Sequence, residues 1–123
     1  MVNVKQNSTD QIIEPNFDRM DEYLGSDRES IKMILLLVIE ELKTAAQKFE
    51  NFLLNGKLDE IKDMAHKLIG TTSTVGFDRL TAVIRDIEKL SKSNPNLLNQ
   101  YLSVFKTESE MAEQMIEVYL QDY

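Results

Sequence analysis

The sequence contains no cysteine and no tryptophan, and only one histidine, two prolines and four glycines in 123 residues. Without cysteine there is no disulfide framework, no thiolate nucleophile and no cysteine-based zinc site. The glycines, at positions 25, 56, 70 and 76, cannot assemble a phosphate-cradling loop or a dinucleotide fingerprint. A di-iron bundle needs two acid-x-x-His pairs, and Asp63-Met-Ala-His66 is one pair with no second histidine to match it, so no metal site is expected. No serine sits in a stretch that reads as the strained turn of a nucleophile. The net charge of −7 argues against a nucleic-acid partner, which is bound by clustered lysine and arginine. The longest apolar run, Met33 to Ile39, is too short to cross a bilayer, so no membrane association is expected. The opening "MVNVKQNSTDQ" lacks the apolar core of a signal peptide, and a cytoplasmic protein is expected.

What remains is a strongly periodic chain of single-domain size, 42% hydrophobic and 28% charged. Residues 1–10 are polar and aperiodic and read as a flexible N-terminus. Residues 11–123 read as one domain. A short amphipathic segment carries Ile12, Ile13, Phe17, Met20 and Leu24, with Pro15 suited to its first turn and Gly25 to its end. Ser26 or Asp27 then caps a long helix running to Gly56. Its seam is Ile31, Leu35, Val38, Leu42, Ala45, Phe49 and Phe52, at alternating spacings of four and three. Met33, Ile34, Leu36, Leu37 and Ile39 make it apolar on a second side, which the short first helix is expected to cover. The next helix repeats the rule with Leu58, Ile61, Ala65, Leu68, Thr72 and Val75 and breaks at Gly76. A further helix places Leu80, Val83, Ile84, Ile87 and Leu90 inward and stops at Asn94-Pro95. The last reads Leu98, Tyr101, Phe105, Ala112, Met115 and Tyr119, with Glu108 the one polar residue on its seam. No strand-like alternation occurs. The expected fold is all-α: an antiparallel four-helix bundle with a short additional N-terminal helix.

The stretch "AHKLIGTTSTVGF", residues 65–77, is the anomaly. It places Gly70 and three threonines inside a helix, where glycine costs about 1 kcal/mol relative to alanine and each threonine roughly half of that. The same stretch holds the only histidine. His66 lies about 100° from Ala65 around the helix, on the shoulder of the seam, with Lys62, Ile69, Gly70 and Ser73 along its stripe. A bare glycine one turn away leaves a notch through which another protein could reach the imidazole. Without more, a lone helical histidine is an ordinary surface residue.

These residues resemble the signature of histidine-containing phosphotransfer (HPt) domains: His66, Leu68 two on, Gly70 four on, Thr71 and Thr72 next, then Gly76. Leu80 and "DIEKL", with Glu88, are similar to the family's following helix. The resemblance implies a phosphorelay carrier without autonomous catalytic activity. His66 would be the phosphoacceptor, taking a phosphoryl group from a receiver-domain aspartyl phosphate and passing it to another receiver. The implied partners are response-regulator receiver domains and a hybrid sensor histidine kinase. No cofactor would be bound by this chain, Mg²⁺ coming with the receiver, and a monomer is expected. Supporting positions would be Lys62, Lys67 and Gly70, and the docking surface would include Ile69, Ser73 and Phe77. One departure stands out: the family usually carries lysine three residues after the histidine, and here Ile69 occupies that place. Lys67 is turned about 100° from His66, whereas Lys62, one turn earlier, lies where the imidazole leans. The competing readings are a helical module that binds a receiver or other signalling partner without accepting phosphate, and a purely structural bundle.

Overall fold

The computed structural model describes residues 16–25 and 27–121. They form α1 (Phe17–Leu24), α2 (Arg28–Leu54), α3 (Leu58–Val75), α4 (Asp78–Ser93), a 3₁₀ turn (Pro95–Leu97) and α5 (Leu98–Gln121). Each of α2 to α5 packs on its chain neighbours, and α5 closes the ring against α2, which is the expected antiparallel four-helix bundle. Cross-helix pairs fix the register: Thr71 with Glu41 between α3 and α2, Arg79 with Glu108 between α4 and α5, and an edge-on Phe49–Phe105 contact between α2 and α5. No helix among the described residues is long and apolar enough to cross a membrane.

The seams of α2 and α3 follow the expected spacing. Ile31, Leu35, Val38, Leu42, Ala45 and Phe49 are buried on α2, and Ile61, Ala65, Leu68, Thr72 and Val75 on α3. Asp27 is the N-cap of α2 and accepts a hydrogen bond from the Ser30 hydroxyl; Ser26 falls outside the described residues. On α5 the buried stripe is Leu98, Leu102, Phe105, Ser109, Ala112 and Ile116, one position round from the expected one. Tyr101 and Tyr119 are half-buried flanks and Met115 is exposed. Glu108 sits at the seam's edge, where Arg79 binds it at 2.6 Å, and the small Ser109 enters the core in its place.

The N-terminal helix does not cover the second apolar side of α2. Met33, Leu36 and Leu37 stay 63%, 47% and 59% exposed. Instead α1 lies mainly on α3, at the end of the bundle where α3 gives way to α4. Asn16, Phe17 and Arg19 hold it there. The Asn16 amide donates to the Gly76 carbonyl at 3.0 Å, the Arg19 guanidinium grips both oxygens of Asp78, and the Phe17 ring meets Phe77 edge-on and Tyr119 at a 4.1 Å centroid distance. Asn16 also caps α1, its side chain accepting from the Arg19 amide. Residues 1–10 and Ile12, Ile13 and Pro15, read above as a flexible end and the start of the first helix, lie outside the described residues.

One carboxylate on α5 is held in an unfavourable setting. Partial burial raises the Glu113 pKa above the usual glutamate value, helped by Glu110 and Glu117 and opposed by Lys43 of α2. The folded chain therefore holds this proton more tightly than the unfolded chain does. Its contribution to stability is lost as pH rises through the folded value and regained on acidification. Glu113→Gln is expected to raise the urea midpoint slightly at pH 7 and to leave it unchanged near pH 4, which paired denaturation curves would show.

Candidate functional site

Helix α3 starts with Asp59 and Glu60 in its first turn, where acids favour the positive helix end, and stops at Gly76. Gly76 adopts φ 89°, in the left-handed region. Its amide bonds to the Ser73 carbonyl and the Phe77 amide to the Thr72 carbonyl, the paired bonds of a Schellman ending. A Cβ here would lie 2.6 Å from the Asn16 backbone, so glycine is required twice over: by conformation and by the close approach of α1.

His66 follows the fully buried Ala65, and the 100° step carries it onto the α4-facing shoulder, with its side chain 77% exposed. There its Nδ1 lies 2.9 Å from Oε2 of Glu88, whose own side chain is 29% exposed. An ionised carboxylate only accepts, so Nδ1 carries the proton and donates it to Glu88. The lone pair of the neutral ring is then on Nε2, the outer nitrogen. The pair thus presents a nucleophilic nitrogen to solvent and backs it with a negative charge. Glu88 was visible in the sequence only within "DIEKL"; its contact with His66 depends on how α3 and α4 are registered, and one-dimensional spacing carries no such signal.

The other anticipated positions divide. Lys62 is half-buried on the His66 stripe, its Nζ 3.9 Å from Asp63 Oδ1. Gly70 is exposed, with nothing within 4 Å of where a Cβ would stand, so the notch is open. Ile69 is half-buried against the core, and Ser73 is half-buried beyond the glycine. Lys67 is not beside the imidazole: it lines the groove between α3 and α2, with Glu40, Glu41 and Thr44. Phe77 is not a surface residue at all. At 1% exposure it belongs to the core, because the Schellman ending turns the chain inward and packs its ring under Phe17. The groove on the notch side is instead walled by Ile34 and Leu37 of α2 and by Thr71 and Thr74.

The hydroxyls around the histidine are engaged within the fold. Thr71 donates to Glu41 at 2.9 Å, and Ser73 and Thr74 both donate to the Gly70 carbonyl. Thr72, fully buried, reaches Thr81 of α4 at 2.7 Å. The threonines that cost helix propensity are thus recovered as contacts, and Gly70 alone is left to provide access. Among the described residues no three His, Asp or Glu side chains gather as metal ligands. The family model of the Hpt domain matches residues 33–121, from the first turns of α2 to the last residue of α5. Neither curated proteins nor solved structures yield a match to the chain.

Proposed function

Since the chain belongs to the Hpt domain family, phosphocarrier modules of two-component signalling that work with receivers and kinases, we propose that His66 is its phosphoacceptor and that it relays a phosphoryl group between receiver domains. The observation that carries this reading is the His66–Glu88 pair, 2.9 Å apart on an exposed helix face beside an open glycine. The lone pair of Nε2 forms the N–P bond as the O–P bond of the incoming aspartyl phosphate breaks, its electrons returning to the aspartate. The positive charge that develops on the ring is met by Glu88 through the Nδ1 proton. Transfer of this kind depends on in-line positioning and charge neutralisation, which the receiver and its Mg²⁺ would supply. Transfer to the next receiver is the same step reversed.

Leu37 lines the groove beside Gly70, and with the exposed Met33 and Leu36 of the same helix it is the natural seat for a receiver; Ile69 and Ser73 flank His66 on α3, outside that groove. Lys62 is the cation on the histidine's own stripe. This reading makes the chain a cytoplasmic, monomeric carrier fed by a hybrid sensor kinase. Its test is incubation with a phosphorylated receiver: acid-labile, base-stable label on His66 supports the carrier. Receiver binding without label would assign the chain to the alternative, a helical interaction module, for which Ile69 in the family's usual lysine place is the relevant observation.

Two substitutions probe the face. Gly70→Leu has space for its side chain and gains nearly 1 kcal/mol of helix propensity, so it is expected to fold at least as well as the parent. Label transfer from a receiver should nevertheless fall by orders of magnitude, because the notch is filled; unaltered rates in the stable variant would show that access does not run past Gly70. Ile69→Lys restores the family's usual residue. Its alkyl stem can cover the surface Ile69 covers while the ammonium reaches out toward the incoming phosphoryl group. Transfer is expected to quicken by about threefold to fivefold, the scale of an exposed charge pair, while receiver affinity drops with the lost apolar contact. Stopped-flow transfer and titration calorimetry separate the two effects.

A further inference from the structure

Helices α3 and α4 are the most closely packed pair in the bundle, and their interface contains a buried polar contact that the phosphocarrier reading leaves unused. The hydroxyls of Thr72, 0% exposed, and Thr81, 5% exposed, meet at 2.7 Å. Each also has a carbonyl of its own helix within reach: Leu68 for Thr72 at 3.1 Å and Phe77 for Thr81 at 2.8 Å. Two hydroxyl protons cannot fill three contacts at once; oxygens 2.7 Å apart need a proton between them, so one hydroxyl donates across the interface and the other to its own helix carbonyl. Neither threonine needs the other in order to be satisfied. Apolar side chains of the same shape would fill the same space, which raises the question of what the hydroxyl pair adds.

Its place in the register supplies an answer. In an antiparallel pair, partners share a nearly constant sum of residue numbers, and Thr72 with Thr81 and His66 with Glu88 differ in that sum by one. The two contacts are therefore rungs of one ladder, six residues apart on α3 and seven on α4, about 9–10 Å along stiff helices. Ridge-and-groove packing of apolar side chains tolerates small axial slips, whereas a hydrogen bond between two buried hydroxyls does not. Buried polar contacts are best attested in the role of fixing register. We infer that Thr72 and Thr81 are positioning residues: their bond sets the axial register of α4 on α3 and so holds the Glu88 carboxylate against Nδ1 of His66. The inference rests on the phosphocarrier reading only for its purpose. The geometric claim concerns the proton on the imidazole and is measurable with no phosphoryl group present.

The chain has a single histidine, so ring ¹⁵N shifts report the tautomers of His66 without assignment. In Thr72→Val and Thr81→Val the remaining hydroxyl falls back on its own helix carbonyl, and both variants are expected to fold. Each should lower the excess of the Nδ1–H tautomer by about threefold or more, toward the ratio in Glu88→Gln, since a hydrogen bond to a charged acceptor is being loosened. Thr81→Ser keeps the hydroxyl and loses a buried methyl; its melting temperature should fall while the tautomer ratio stays at the parent value. Should a valine variant unfold, Thr81→Ala against Thr81→Ser carries the same contrast. Parent-like ratios in the valine or alanine variants, whatever their stability, overturn the inference, as does a serine variant that shifts as far as valine. Failure of His66 to accept label with these ratios as expected would overturn the carrier reading and leave the positioning claim standing.

Discussion

Replacement of His66 by glutamine is expected to abolish label transfer from a phosphorylated receiver completely, with no change in helical content. The loss is total because the chain has no second imidazole to accept the group. The fold is spared because the side chain is 77% exposed and its hydrogen bond to Glu88 is at the surface. Surface changes of this sort rarely alter stability by more than about 0.5 kcal/mol. Circular dichroism and a urea midpoint establish the second half of the expectation, and phosphoryl label from the receiver the first. Label retained in a well-folded His66→Gln protein would identify another residue as acceptor.

The largest effect on stability is expected at Gly76, not at the histidine. Gly76→Ala must hold an L-residue at φ 89°, which costs about 1–2 kcal/mol, and must place a methyl 2.6 Å from the nitrogen and oxygen of Asn16. Backbone cannot swing aside as a long side chain can, so α1 has to move. The expected total is about 3 kcal/mol in urea unfolding, with faster proteolysis within α1. Gly56→Ala is the matched control: φ there is 67° but a Cβ meets nothing within 4 Å, so it should show the conformational cost alone. Equal losses at the two positions would mean that α1 does not press on the α3–α4 turn.

The contrast between what the chain announces and what it conceals follows element by element. The α2 and α3 seams are legible because each has one unbroken stripe at four-three spacing, and the extra apolar residues near the start of α2, Met33, Leu36 and Leu37, do not repeat along the helix. On α5 two such stripes overlap: Leu98, Tyr101, Phe105, Glu108, Ala112 and Met115 compete with Leu98, Leu102, Phe105, Ser109, Ala112 and Ile116. Periodicity cannot choose between them. The fold chooses the second because Glu108 finds Arg79 at the rim, which leaves Ser109 as the smaller polar group to bury. Phe77 was misplaced for a different reason. A residue after a helix-ending glycine reads as surface, yet the Schellman ending aims it inward. Glu88 and the Thr72–Thr81 contact belong to a third kind. Each residue was on view, but a pair across two helices exists only once their relative shift is known.

The hydroxyls of Thr71, Ser73 and Thr74, each already donating to an acceptor of this chain, bear on how long a phosphoryl group on Nε2 would last. With their protons directed to Glu41 and to the Gly70 carbonyl, they are poorly disposed to orient an attacking water or to take the group over. Glu88 lies on the far nitrogen, where its charge steadies the ring, and it holds the ring's proton rather than a water's. Such a surface would behave as a storage element whose discharge waits on an encounter. The lifetime of the signal would then be set by the concentration of the next receiver, not by a clock within the bundle.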